Sequence, residues 1–207
     1  MHVAESKDEI KLLQGKKSGF DKLYNAAGWD LTWAPRANST IEYIHRLGML
    51  SPRLLAVHAV HVTDRDIALL KQKHVSIAHC PRSNQETGVG RMPLYKFIEN
   101  SVPVGLGTDS LASSPSLNMW DEMRTAFHMH KKFGITAEDI FHLATAGGAK
   151  SLGLDEQIGT ISTGKKADII AVPLPQKNTG DLYSDLLRET KSCIMSMVTG
   201  NFLLKDY

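Results

Sequence analysis

Three short apolar segments of the sequence each end in an ionisable residue, and these residues are His58, His79 and Asp109. His2 lies in a further short apolar stretch, interpreted as the end of a strand, and Glu5 follows it three positions later. Two or three imidazoles with one carboxylate are typical ligands of a divalent Zn²⁺ or Fe²⁺ ion, with water completing the coordination. Because such an ion lowers the pKa of bound water towards 7, the pattern predicts hydrolysis by activated water.

The spacing of His2 and Glu5 indicates a role for the carboxylate. If a strand ends at His2 and the backbone turns into a helix, Glu5 can lean over the same site and carry a proton to a leaving group. Two structural alternatives stay open, since His58 could hydrogen-bond a backbone carbonyl and Asp109 could cap a turn. His2, Glu5, His58 and Asp109 are therefore the candidates for the metal site and its proton transfers, and the spacing leaves open which histidines bind the ion.

The remaining histidines have more ordinary interpretations. His79 is expected to shape a substrate pocket, and His61 is expected to lie in a loop or to pack. His128 and His130 form an HxH pair, which on a strand would place both rings on one face. The residues before this pair have a helical composition, and on a helix two side chains spaced by two positions point about 200° apart. We therefore assign the pair no chemistry.

The elements that must position these residues alternate between strand and helix. Helix starts are marked by a hydroxyl residue with Glu or Asp three positions later, at Ser6, Ser39, Thr63 and Thr136. Continuous apolar segments are typical of strands covered on both faces, and the alternation predicts parallel pairing. The steps from His58 to His79 and from His79 to Asp109 are 21 and 30 residues, close to the roughly 31 residues per unit of an eightfold βα barrel.

The pattern changes after about residue 155. Short apolar stretches follow, and Gly200-Asn201 is a hairpin signal. The sequence predicts a barrel unit over 1–155 and a small β segment over 156–207. Candidate stacking surfaces for a planar ligand are Trp29, Trp33 and Trp120.

Composition narrows the class of protein. The 207 residues include 24 basic and 22 acidic side chains, and the net charge of +2 offers no strong patch for a phosphate backbone. Two cysteines without metal-binding spacing fit a reducing compartment. No apolar run approaches the roughly 20 residues of a membrane span, and the first residues do not form a signal peptide. We expect a cytoplasmic protein with neither nucleic-acid nor membrane partners.

Five motifs occur in order along the chain. They are His2-Val3-Ala4-Glu5-Ser6, His58-Ala59-Val60-His61, His79-Cys80-Pro81-Arg82-Ser83-Asn84, Gly107-Thr108-Asp109-Ser110, and Gly159-Thr160-Ile161 followed by Gly164-Lys165-Lys166-Ala167-Asp168. Together they resemble the amidohydrolase superfamily. The most similar branch is that of the cytosine- and adenosine-type deaminases and the triazine chlorohydrolases. The resemblance covers essentially the whole chain.

The resemblance implies a distorted (β/α)₈ barrel with one divalent metal, Zn²⁺ in preference to Fe²⁺, and a β-sandwich. By position, His2 is the metal ligand of strand five and Glu5 is the proton shuttle. His58 of strand six polarises the substrate or orients the water. Asp109 of strand eight contacts the metal and accepts the proton of the water. Ser83 and Asn84 line the mouth without a specified role, and the implied substrate is a small purine-like or other N-heterocycle that loses ammonia.

The family also supplies two metal ligands from an HxH pair on its first strand, and this sequence has no counterpart of strands one to four. We therefore expect a partial barrel of strands five to eight, preceded in a longer reading frame by the missing half, and inactive by itself. The alternative is a non-catalytic or split-enzyme half-barrel that docks on a partner chain or on a second copy. A barrel enzyme that uses no metal is a third reading.

Overall fold

The computed structural model describes residues 1–32, 34, 36–176 and 179–205. Trp33, one of the three candidate stacking residues, lies outside this part of the chain. The strands are β1 His2–Val3, β2 Leu55–His58, β3 Ser76–His79, β4 Val104–Leu106, β5 Ile169–Ala171, β6 Met195–Val198 and β7 Asn201–Lys205. The helices are α1 Lys7–Leu13, α2 Gly19–Ala26, α3 Thr40–Arg46, α4 Asp64–Gln72, α5 Pro81–Glu86, α6 Leu94–Glu99, α7 Met119–His130, α8 Ala137–Ala144, α9 Ala146–Ser151 and α10 Leu182–Glu189. A membrane-crossing helix, long and apolar enough to span a bilayer, is absent from these described segments.

The first four strands form one parallel sheet in the order β1-β2-β3-β4. Ala56 of β2 pairs with Ile77 of β3, which pairs in turn with Val104 of β4, and all three side chains belong to the apolar core. Helices follow the strands in sequence, because each parallel connection needs a crossover. The predicted α/β fold with a parallel sheet is confirmed. The closed barrel and the numbering of these strands as five to eight stay predictions.

All four predicted helix starts are confirmed. The side-chain oxygens of Ser6, Ser39, Thr63 and Thr136 accept hydrogen bonds from the backbone N–H three positions later. Each hydroxyl satisfies one of the N–H groups that the first helical turn leaves without a partner. Local sequence therefore determines where these helices begin, and through Ser6 it determines the turn that follows β1.

The last three described strands form a separate antiparallel sheet in the order β5-β6-β7. The predicted hairpin is present, with Thr199 and Gly200 at positive φ values of 49° and 83° between β6 and β7. Helix α10 was not predicted from the sequence, and it buries Leu187 in the same apolar core as the residues of the parallel sheet. A β segment is thus confirmed after residue 155, whereas its membership of a β-sandwich and the boundary at 155 stay predictions.

One close approach between β4 and α9 depends on glycine. A Cβ atom on Gly147 would lie 2.7 Å from the backbone oxygen of Val104 and 3.0 Å from that of His142. A Cβ atom on the next residue, Gly148, would meet only the oxygen of Leu143, at an ordinary 3.4 Å. The helix can therefore lie against the strand only where residue 147 has no side chain.

Gly147→Ala is expected to lower the free energy of unfolding by about 1–3 kcal/mol, because the added methyl group forces α9 away from β4. Gly148→Ala is the matched control. It should leave stability unchanged or raise it by up to about 1 kcal/mol, since alanine favours the helix. Urea unfolding of the two variants and the parent chain measures the difference, and equal midpoints for both variants would contradict the packing argument.

Candidate metal centre

Four side chains from the C-terminal ends of three strands converge at one point of the parallel sheet, and we call this group the cluster: His2, Glu5, His58 and Asp109. His58 Nε2 lies 3.1 Å from His2 Nδ1, 3.7 Å from Glu5 Oε1 and 3.8 Å from Asp109 Oδ2. His2 Nδ1 lies 3.4 Å from Glu5 Oε2, and His2 Nε2 lies 3.7 Å from Asp109 Oδ1. Residues separated by up to 107 positions in sequence are therefore neighbours.

The backbone is left-handed where the strands meet the cluster. Ala4, His58, Ala59 and Asp109 have φ values of 51°, 73°, 46° and 57°. Non-glycine residues rarely adopt this conformation, and each costs of order 1–3 kcal/mol unless surrounding contacts impose it. Such strain concentrates at functional sites. The strained backbone positions therefore point to the cluster as a functional site, as the side chains do.

The donor atoms of the cluster fit a metal ion of the zinc or ferrous type. His2, His58 and Asp109 each offer one ligand atom, and these atoms lie within 4.8 Å of one another. Two imidazoles and one carboxylate suit Zn²⁺ or Fe²⁺ better than Mg²⁺, which prefers oxygen ligands alone. The family resemblance implies a catalytic role for His58, and in the structure His58 also lies within reach of the other two candidate ligands.

Burial is graded across the cluster. The side chain of His58 is completely buried and that of Asp109 is 13% exposed, while His2 is 51% exposed. The cluster therefore has a buried side at His58 and a solvent-exposed side at His2 in this chain.

Two serine hydroxyls hold Asp109. Ser83 Oγ and Ser113 Oγ each donate to Asp109 Oδ2 at 2.7 Å. Burial acts to raise the pKa of the Asp109 carboxyl, but these two hydrogen bonds and the neighbouring His58 and His2 outweigh it and lower that pKa below its usual value. Asp109 is consequently an anion that is ready to bind a cation.

The loop that carries Glu5 is fixed by a second glutamate. Glu9 accepts hydrogen bonds from the backbone N–H groups of Ala4 and Glu5, at 2.9 and 2.8 Å, and from the hydroxyl of Thr40 at 2.6 Å. The Glu5 carboxylate takes no part in these bonds. Its two oxygens face His2 and His58 instead.

The structure does not bring His79 into the cluster. Its side chain is completely buried, and its Nε2 lies 3.0 Å from Nε2 of His130. Burial, reinforced by His130 and His58, lowers the pKa of His79 well below its usual value, so the ring is neutral. The expected role of His79 in shaping a substrate pocket stays a prediction.

Several secondary expectations can be compared directly with the structure. The His128–His130 pair lies on α7, as predicted, and not on a strand. His61 Nε2 bonds to the carbonyl oxygen of Val89, which agrees with a packing role. Of the candidate stacking residues, Trp120 packs against the core, and the exposed Trp29 places its ring edge-on to Tyr24.

Two residues of the site were missed in the sequence. Ser113 lies in the serine-rich stretch 110–116, where nothing distinguishes the hydroxyl that contacts Asp109. Glu9 was interpreted as the acidic partner of a helix cap, and its carboxylate instead reaches the residues before the cap. Ser83 and Asn84 were assigned to the mouth without a role, and each contacts a member of the cluster.

Comparisons with known proteins agree with this geometry. The sequence pattern of the amidohydrolase family matches residues 1–201. A 5-methylthioadenosine/S-adenosylhomocysteine deaminase of Moorella thermoacetica is 40% identical over 183 residues, which cover 85% of this chain and 38% of that protein. An S-triazine hydrolase of Gordonia rubripertincta is 38% identical over 143 residues, which cover 67% of this chain and 30% of that protein.

A solved structure extends the similarity to the fold. An adenosine deaminase of Xanthomonas campestris with bound zinc aligns with a TM-score of 0.80 and 27% identity, over 99% of this chain and 45% of that one. The chain spans less than half the length of each of these three relatives. The family resemblance predicted from the five motifs is confirmed.

Proposed function

Because the chain belongs to the amidohydrolase family, we propose that the cluster is one side of a metal-dependent active site that hydrolyses a carbon–nitrogen bond. The proposed reaction is hydrolytic deamination of a purine-like or other N-heterocyclic compound. The convergence of His2, Glu5, His58 and Asp109 within hydrogen-bonding or ligating range carries this proposal. The names of the relatives, which include deaminases of adenosine-type compounds, support the choice of substrate class.

His2 and Asp109 would hold the metal ion, and His58 is close enough to join them. When bound, a Zn²⁺ or Fe²⁺ ion lowers the pKa of water at the site towards 7 and polarises the bond under attack. The lowered pKa of Asp109 keeps it anionic for this task. Zinc is the proposed ion, since an adenosine deaminase of the same fold was solved with it.

The protein groups divide the proton transfers between them. Asp109 accepts a proton from the attacking water, which adds to the ring carbon that bears the amino group. Glu5 donates a proton to the adjacent ring nitrogen, takes up the proton that Asp109 removed from the water, and donates it to the amino group. The carbon–nitrogen bond then breaks and ammonia leaves with the electron pair, while the hydroxyl proton of the tetrahedral carbon returns to Glu5 and the carbon–oxygen double bond forms. His58, whose Nε2 faces both carboxylates, orients the attacking water.

We further propose that the four parallel strands are strands five to eight of an eight-stranded barrel. In the described part of the chain, β1 and β4 each pair on one side only. Closing the sheet with four more strands would remove both edges, which otherwise favour association. The missing metal ligands would come from that other half, and the residues after 155 would form part of a β-sandwich.

A chimera tests the proposed function. In it, this chain replaces the matching segment of the Moorella thermoacetica deaminase, and ammonia release is measured with 5-methylthioadenosine and a panel of purines and other N-heterocycles. We expect zinc-dependent release of ammonia, with the intact relative as the positive control. A soluble, zinc-loaded chimera that releases no ammonia from any compound would refute the assignment.

A further inference from the structure

The partner of His58 on the side away from the cluster is an amide oxygen. Asn84 Oδ1 lies 2.8 Å from His58 Nδ1, and both side chains are buried, at 1% and 0% exposure. An amide oxygen only accepts hydrogen bonds, so Nδ1 of His58 must carry the hydrogen. In the neutral ring, Nε2 then carries the lone pair, and it is Nε2 that faces the cluster.

We propose that Asn84 is a positioning residue that fixes His58 in its Nδ1–H tautomer and so presents the Nε2 lone pair to the cluster. A neutral imidazole in water favours the opposite tautomer, so the protein must select this one. The partner of the second ring nitrogen usually makes that selection at metal and catalytic sites. The importance of this tautomer for turnover rests on the proposed function, whereas the tautomer itself does not.

The same helical turn positions a second member of the cluster. Ser83, the neighbour of Asn84 on α5, donates its hydroxyl to Asp109 Oδ2. The start of α5 is held in turn by the buried Glu122 of α7, which accepts the backbone N–H of Arg82 at 3.1 Å. Two consecutive side chains on an anchored turn thus orient an imidazole and a carboxylate that come from different strands.

The hydrogen bond between His58 and His2 agrees with this tautomer. His58 Nε2 and His2 Nδ1 are 3.1 Å apart, so one of the two nitrogens donates to the other. With the hydrogen of His58 on Nδ1, His2 is the donor and its own lone pair lies on Nε2, which faces Asp109. One side chain, Asn84, thereby determines the tautomers of both imidazoles in the cluster before any ion binds.

The test is a tautomer measurement by long-range ¹H–¹⁵N NMR on the full chain labelled in histidine, at a pH where the rings are neutral. Comparison with a His58→Gln chain assigns the signals. We expect Nδ1–H in the parent chain, a shift towards Nε2–H in Asn84→Leu, and retention of Nδ1–H in Asn84→Asp, whose carboxylate still accepts the hydrogen bond. Gln85→Ala, an exposed change on the same helix, is the control and should leave the signals unchanged.

An Nε2–H ring in the parent chain, or an unchanged ring in a folded Asn84→Leu chain, would overturn the proposal. If Asn84→Leu does not fold, the parent and Asn84→Asp spectra decide, because both must show Nδ1–H. In the chimera, Asn84→Leu should also lower kcat/KM by about 10–100-fold, and Asn84→Asp should restore part of this loss. The spectra require neither metal nor substrate, so an inactive chimera would refute the proposed deamination and leave the tautomer question answerable.

Discussion

Glu5→Gln is expected to lower the kcat of deamination in the chimera by about 10²–10⁴-fold, the usual contribution of a positioned proton-transfer group. The carboxylate of Glu5 is 27% exposed and lies 3.4 Å from His2 Nδ1, so it contacts both solvent and the cluster. An amide has nearly the same shape and cannot carry the proton. The substitution therefore removes the chemistry while it preserves the volume of the side chain.

The fold should tolerate this change. The hydrogen bonds that hold the loop after β1 go to Glu9 and not to Glu5. Zinc content, KM and thermal unfolding of the chimera should consequently stay close to those of the parent. Glu86→Gln, the same change at an exposed position of α5, is the matched control. Loss of less than about 10-fold in kcat for Glu5→Gln would remove Glu5 from the proposed role.

The features that the sequence predicted well are local ones. A hydroxyl residue three positions before an acidic residue caps its own helix, as at Ser39 and Thr63. The capping hydrogen bonds join residues of the same turn, so they do not depend on distant parts of the chain. The parallel sheet followed from short apolar segments separated by helices, and the ends of β2 and β4 located His58 and Asp109. In a parallel sheet the C-terminal ends of all strands lie on one edge. The topology alone therefore predicts that these two residues are neighbours.

The features that the sequence did not predict depend on contacts between elements. One such contact joins His79 to His130 of α7, because His79 ends its strand as His58 does and the sequence does not mark its partner. Ser113 becomes a site residue because an irregular segment returns its hydroxyl to Asp109. Neither position has a periodicity or a cap that marks it. The roles of Glu5 and His2 were predicted from their spacing and from the family resemblance. Their positions beside His58 come from the structure.

Asp109→Asn is expected to remove both the metal and the activity of the chimera. Asp109 is the only carboxylate among the three candidate ligands of the described chain, and its replacement by a neutral amide lowers the affinity of the site for a cation. Loss of a ligand should exceed the 10–100-fold loss that results from changes in residues around the ligands. We therefore expect a fall in kcat/KM of at least about 100-fold, measured together with zinc content after chelation and the return of one equivalent of zinc.

The control for this prediction is Asp64→Asn, because Asp64 is an exposed carboxylate that pairs with Lys96 away from the cluster. A surface ion pair contributes roughly 0–1 kcal/mol, so this variant should keep its zinc and its rate. The hydroxyls of Ser83 and Ser113 can still donate to an amide oxygen at position 109, which preserves the local geometry and isolates the effect of charge. A zinc-free Asp109→Asn chimera beside a zinc-loaded but slow Glu5→Gln chimera would separate metal binding from proton transfer. Normal zinc content and turnover in Asp109→Asn would show that the cluster is not the metal centre.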